Sequence, residues 1–251
     1  MHFDLNFIYA GLAALFAGFV NAIAGGGTLI TFPLLIALGI QPVTANITNT
    51  IALCPGYLGG TIIQYSDLKL VGKNFWLYLI SGVLGGLMGA FILISTEKKI
   101  FSSIVPYLIA LGSILLAIQQ VIKNKILKKG FISLNNKALI VLLTFLASIY
   151  GGYFGAGLGV ILLSILGMYL NYNLNKINAL KQAISLCVNI TAACLFIFSG
   201  LVNWDYVLIM SICSLLGGIL GGHFIKHLNS EVFRWIVVIV GFIIAIIFFI
   251  K

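Results

Sequence analysis

Acidic residues are nearly missing from this chain, which holds five Asp and Glu against fourteen Lys and Arg in 251 residues. None of the five falls inside an apolar run: Asp4, Asp67, Asp205 and Glu231 stand at run edges and Glu97 in a loop. A cation carrier or a carboxylate proton relay places acids within the membrane, so both classes are disfavoured. Charge of either sign is scarce at 8%, whereas a soluble fold of this length needs polar helix faces and charged loops throughout. The basic residues flank apolar stretches and never form a stripe with interleaved aromatics, which excludes a nucleic-acid surface. Lipid headgroups are the natural counter-charge to the formal +9. Cysteine is limited to Cys54, Cys187, Cys194 and Cys213, all in apolar runs without metal-ligand spacing. They read as reduced packing residues, and no metal or cofactor is implied. The N-terminus has no Lys or Arg before its first apolar run, so it reads as a retained segment rather than a secretory leader.

What is present is grease: 61% hydrophobic residues and a mean hydropathy of +1.18. Apolar runs fall near residues 5–24, 28–39, 44–63, 75–95, 103–122, 138–156, 158–170, 179–200, 206–225 and 233–250. A backbone in lipid must satisfy its own hydrogen bonds, and the strict alternation of a barrel strand is absent. The expectation is an all-α integral membrane protein, a polytopic bundle. The polar stretch "KNKILKKGFISLNNK" divides it into a first transmembrane repeat (1–122), a basic linker (123–137) and a second repeat (138–251).

The halves share landmarks. From Gly25, Asn46 follows after 21 residues, Gly85-Gly86-x-x-Gly89 after 60 and Gly112 after 87; from Gly155, Asn178 follows after 23, Gly217-Gly218-x-x-Gly221 after 62 and Gly241 after 86. Such matched order and spacing points to a duplicated unit. Each half opens with a glycine-broken first helix or hairpin, and the lysines weigh between these. If residues 5–39 and 138–170 each cross once, the flanking basic residues divide eight to five between the two faces. If each is a hairpin, Lys69, Lys73, five linker lysines, Lys176, Lys226 and Arg234 share one face against Lys98, Lys99 and Lys251, ten to three. The positive-inside bias favours the hairpin. Three crossings plus a hairpin per half then set the halves upside down to one another, an inverted repeat of the kind transporters use, although residues 5–24 are long enough to span alone.

The breaks carry the chemistry. Glycine permits backbone angles and close approaches that other residues forbid, and a broken helix in a membrane is tolerated only inside protein or beside a polar cavity. Helices restarting at Gly27-Thr28 and near Gly157 would aim N–H groups and partial positive charge at that interior. Gly25, Gly26, Gly27, Thr28, Gly155 and Gly157 are therefore candidate substrate-binding residues. The small-xxx-small spacing at Gly85/Gly89, Gly217/Gly221 and Gly218/Gly222 reads as helix packing. Polar clusters follow each break, "TANITNT" at Thr44–Thr50 and "INALKQAIS" at Ile177–Ser185. They add Asn46, Asn49, Thr50, Asn178, Lys181 and Gln182, with Asn49 aligned to Lys181 and Thr50 to Gln182. Lys181 is the sole formal charge within a predicted helix; it either serves the site or snorkels to the headgroups. Pro55 should kink its helix. One buried cation, two half-helix starts and several amide donors suit a small anion with hydrogen-bond-accepting oxygens.

These residues also resemble a known family. "GFVNAIAGGGTLITFPLLIALGIQPVTANITNT" is similar to the opening signature of the sulfite exporter TauE/SafE-like family of membrane permeases, and "GGYFGAGLGV", "INALKQAISLCVN" and "FSGLVNW" to its second-half signature. The resemblance implies a transporter of sulfite, sulfonates or other small sulfur-containing or organic anions in the bacterial plasma membrane. Two positions depart from the family pattern and bear on substrate and ion coupling: Asn21 stands where it often has Asp, and Thr50 where it has Lys. A passive anion channel remains an alternative, since half-helix ends serve pores as well. A membrane enzyme would need an intramembrane nucleophile with a base, or a metal cluster; His2, His223 and His227 lack such partners. Partners are thus the anion and membrane lipids, not nucleic acid, with the oligomeric state open.

Overall fold

The computed structural model describes residues 5–72, 74–128, 137–224 and 230–250. All regular structure among them is helical, with helices α1 (Leu5–Ile23), α2 (Thr28–Ala37), α3 (Pro42–Ile63), α4 (Tyr65–Leu68), α5 (Phe75–Ser95) and α6 (Lys98–Lys128). These are followed by α7 (Lys137–Tyr153), α8 (Leu158–Tyr169), α9 (Leu174–Ile197), α10 (Trp204–Phe224) and α11 (Ser230–Ile250). Six stretches are long and apolar enough to cross a membrane: α1, α5, Lys98–Gln119 of α6, α9, α10 and Glu231–Ile250 of α11. Large apolar side chains, among them Trp76, Phe91, Tyr107, Ile212 and Ile250, point outward. Water would penalise such a surface and lipid does not. The chain is a multi-pass membrane protein.

The 22-residue α3 is as long as a span but carries polar residues, and it keeps them inside: Asn46, Thr48, Asn49 and Thr50 are all buried. It runs antiparallel to α9, so that Gln64 lies opposite Asn178 and Gly60 opposite Gln182. Around this central pair the contacts of one half recur in the other. Helix α10 packs on α1 and α3, and α5 on α7 and α9. Gly217 and Gly221 abut the carbonyls of Leu15 and Phe19, while Gly85 and Gly89 abut those of Phe145 and Ile149. Likewise Gly218 meets Gly56 and Gly86 meets Val188. The remaining helices α6 and α11 pack on each other, with Tyr107 edge-on to Phe249 at 5.0 Å. Without a hydrophobic drive between helices in lipid, such backbone-to-backbone fits supply the dispersion that holds the bundle.

One expectation changes. The linker 123–137 is not all connection: α6 continues to Lys128, because no helix breaker occurs before Gly130 and lysine and leucine sustain helix. Residues 129–136 lie outside the described set, and Lys137 already begins α7. Pro55 does not interrupt α3, which is helical on both sides of it.

Candidate functional site

Both breaks form, and they form alike. Helix α1 closes where the amides of Ala24 and Gly25 donate to the carbonyl of Val20, at 2.7 and 2.9 Å. In the second half Phe154 and Gly155 donate to Tyr150, at 2.9 and 3.2 Å. The chain then takes left-handed angles at Gly25 (φ 89°) and Gly26 (φ 94°), and at Gly155 and Gly157 (both φ 81°), a region where a side chain costs about 1–2 kcal/mol. Gly27 keeps a helical φ of −55° and is needed for space: a Cβ there would lie 2.5 Å from the Ala17 carbonyl. That contact between residues ten apart means the chain doubles back at the first break. Leu158 likewise lies against Gly151, so the second break doubles back too.

The restarts leave donors over. In the first break the amides of Gly26 and Thr28, and in the second those of Ala156 and Gly157, donate to no backbone carbonyl among the described residues. Each such helix start carries roughly half a positive charge. The two breaks touch: a Cβ on Gly25 would lie 3.3 Å from the Gly159 Cα in the first turn of α8. Lys181 joins them. It sits two turns into α9 and is 1% exposed, and its Cδ lies 3.6 Å from where Gly159 would carry a Cβ. The headgroup-snorkelling alternative is therefore not the conformation present; the lysine is interior, its stem laid across a glycine at a helix start.

The other candidates divide by what already holds their polar atoms. Asn49 ties α3 to the first turn of α2, accepting from the Thr31 hydroxyl and donating to Thr28 Oγ1 at 3.4 Å. Thr50 spends its hydroxyl on the Asn46 carbonyl of its own helix, at 2.9 Å. Asn46 and Asn178 clamp the opposite halves. Asn46 Nδ2 donates to the Tyr153 carbonyl at the end of α7 (2.9 Å), and Asn178 Nδ2 to the Ala22 carbonyl near the end of α1 (3.2 Å). Asn178 Nδ2 donates also to Gln64 Oε1, at 2.7 Å. Gln182 is fully buried, and neither its Nε2 nor its Oε1 has a hydrogen-bond partner. These clamps carry a stability prediction. Asn178→Ala should cost about 1–3 kcal/mol by stranding two acceptors, and Asn46→Ala less, since only one carbonyl loses its donor. Thermal unfolding of the purified variants in detergent should rank them in that order.

Gln119 and Tyr150 were not singled out from the sequence, and Asn21 only as a departure from the family pattern; all three support the breaks. Asn21 Oδ1 accepts from the Gly27 amide at 2.7 Å, Gln119 Nε2 donates to the Ala24 carbonyl at 3.0 Å, and the Tyr150 hydroxyl donates to the Ala156 carbonyl at 2.6 Å. The available signal was a polar residue inside an apolar run, with nothing to say which carbonyl it would find. At the far end of α3 a cavity of about 440 Å³ is lined by Thr44 and the loop from Gly200 to Asp205. There the amide of Asn203, from the "FSGLVNW" motif, donates to Thr48 Oγ1 at 3.0 Å. Of the histidines, His223 lies at the exposed end of α10, and His2 and His227 fall outside the described residues. The four cysteines are free thiols.

Comparison with known proteins agrees over nearly the full length. The profile of the family described as "Sulfite exporter TauE/SafE" matches residues 10–248. A "Probable membrane transporter protein" of Haemophilus influenzae is 28% identical over 226 residues, covering 90% of this chain and 88% of that protein. "Probable membrane transporter protein YfcA" of Escherichia coli is 25% identical over 236 residues, covering 91% and 84%. "Probable membrane transporter protein ORF9" of a Sinorhizobium species is 25% identical over 240 residues, covering 94% and 89%.

Proposed function

This chain belongs to the sulfite exporter TauE/SafE family of membrane transporters, and on that premise we propose that it is a secondary carrier of small oxyanions such as sulfite or sulfonates. The anion binds where the two breaks meet, taking hydrogen bonds from the unspent amides of Gly26, Thr28, Ala156 and Gly157 and facing the Lys181 ammonium. The observation that carries this reading is the contact of Gly25 with Gly159 beneath the Lys181 stem. Two positive helix starts and a lysine share one buried place, an arrangement that favours a negative group there. Among the described residues no Asp or Glu is buried, so the same place offers a cation little. The recurrence of packing between halves supports an inverted repeat whose halves rock about this point, the usual design for alternating access. The protein acts as a carrier rather than an enzyme, and needs no cofactor for it.

Uptake into proteoliposomes is the test. Labelled sulfite should enter saturably and exchange against unlabelled sulfite inside, and sulfite should raise the unfolding temperature of the purified protein by mass action. Single-channel currents without counterflow would assign the protein to the pore alternative. Neither uptake nor a thermal shift across sulfite, sulfate, thiosulfate, sulfonates and small carboxylates would discard the anion reading.

A further inference from the structure

The two halves differ in one place that an anion would notice. Beyond Lys181 toward the start of α9, the α3–α9 interface is lined by amides: Gln182 against Gly60, then Asn178 bonded to Gln64. Gln64 is 5% exposed and its Nε2 has no partner among the described residues; there Asn178 Oδ1 and both amide atoms of Gln182 have none either. The Ala22 carbonyl can only accept, so it fixes Asn178 Nδ2 as the donor, and that in turn makes Gln64 Oε1 the acceptor and Gln64 Nε2 the spare donor. Unpaired amide atoms this deep are costly in a dry interior and cost little where water or a solute passes. The row ends at two cations. Gln64 leads into α4 and Lys69, and Asn178 follows Lys176; each lysine rests over a tyrosine, Lys69 over Tyr65 at 4.7 Å and Lys176 over Tyr172 at 5.8 Å.

The corresponding interface on the other side is less polar: Asn46 is buried there, its Oδ1 without a partner among the described residues, but no row of amides continues from it. With Asn46 aligned to Asn178, the residue that corresponds to Gln64 is Phe196 and to Gly60 is Ala192, both fully buried. Nearby, around the Tyr153 carbonyl that Asn46 holds, Phe32 packs edge to face on Phe154 at 5.1 Å and Phe101 lies tilted against Phe154 at 6.4 Å. Duplication alone would make the two sides equal; differences at Gln64/Phe196, Gly60/Ala192 and Gln182/Thr50 leave one side with a row of amides and the other with a single asparagine against phenylalanine.

We propose that Gln182, Asn178 and Gln64 form a hydrated access path that admits a small oxyanion from the face bearing Lys69 and Lys176 to the breaks, and that Phe196 with its neighbouring aromatics is the closed gate on the opposite side. The proposal rests on the anion-carrier reading for its cargo, but its geometry can be tested without any substrate. Single cysteines are placed by Gln64→Cys, Gln182→Cys and Phe196→Cys, and permeabilised membranes are treated with an anionic and with a cationic methanethiosulfonate in the absence of sulfite. Labelling is read site by site by mass spectrometry, with the native cysteines as internal references. Thiols react through their water-exposed thiolate, so Gln64→Cys and Gln182→Cys should label about tenfold faster than Phe196→Cys. They should also prefer the anionic reagent once each is scaled to its rate with free thiol. Equal rates at all three positions, labelling at Gln64→Cys without Gln182→Cys, or preference for the cationic reagent would overturn the path. Should a core cysteine prevent folding, the surface double variant Lys69→Glu/Lys176→Glu serves instead. It should slow sulfite uptake about tenfold and flatten its dependence on ionic strength, and unchanged uptake would overturn the path. Loss of transport in Lys181→Ala with no labelling at Gln64→Cys would leave the anion site standing and remove only this route to it.

Discussion

Lys181→Ala is expected to abolish anion uptake while the protein still folds and inserts. The side chain is buried at the joined breaks, and truncating one partner of a desolvated charge pair costs about 2–5 kcal/mol, or about 30-fold to several-thousand-fold in affinity. Stability should not fall in step, because alanine is the better helix former and the substitution removes the cost of burying a charge. Sulfite uptake, the sulfite-induced thermal shift and the unliganded unfolding temperature together separate the outcomes. The first two should vanish while the third holds or rises. Lys181→Arg keeps the charge but replaces a point ammonium by a planar fork, so transport should persist with an altered ranking of sulfite against larger sulfonates. Unchanged uptake in the alanine variant would reduce Lys181 to a packing role and take the proposed binding site with it.

The second large effect is structural. Gly217→Val should leave little folded protein, because even its Cβ would sit 1.9 Å from the Leu15 carbonyl across the α1–α10 contact. Helices cannot move apart there without losing neighbouring fits at Gly218 and Gly221, so the penalty exceeds the ~1–3 kcal/mol typical of overpacking. Gly72→Ala is the matched control: nothing lies within 4 Å of its Cβ position, and its unfolding temperature should stay near that of the parent. Size-exclusion profiles and membrane yields of the two variants give the comparison. A well-folded Gly217→Val protein would mean that this helix pair is not packed as described.

How far the residues spoke for themselves varies from place to place. The ends of the helices around the breaks were readable because consecutive or alternating glycines in an apolar run have few other uses: α1, α2 and α8 begin and end within two residues of the expected runs, and α7 ends three residues early. The doubling back at Gly27 was readable only indirectly, through the sidedness of lysines. The small-xxx-small pairs also announced themselves, but not their partners: nothing in "GGILGG" says that it meets Leu15, Phe19 and Gly56. Within the polar clusters, residue type was visible and its use was not. Thr50 looked like a site donor and bonds its own helix, Asn46 and Asn178 looked like ligands and hold carbonyls of the other half, and Gln64 was passed over at a helix end.

Sequence by itself determined that this chain lives in a membrane as helices and where those helices break, since both follow from local rules: lipid offers the backbone no partners, and only glycine takes the angles a reversal needs. The tertiary structure alone decided which polar groups are consumed and which are left over, because Asn178 and Ala22 lie 156 residues apart and a hydrogen bond depends on distance in space. It also decided that Gln64 is buried beside the amides of Asn178 and Gln182 and that Phe196 is buried within an apolar core, a difference in surroundings that residue type alone does not show.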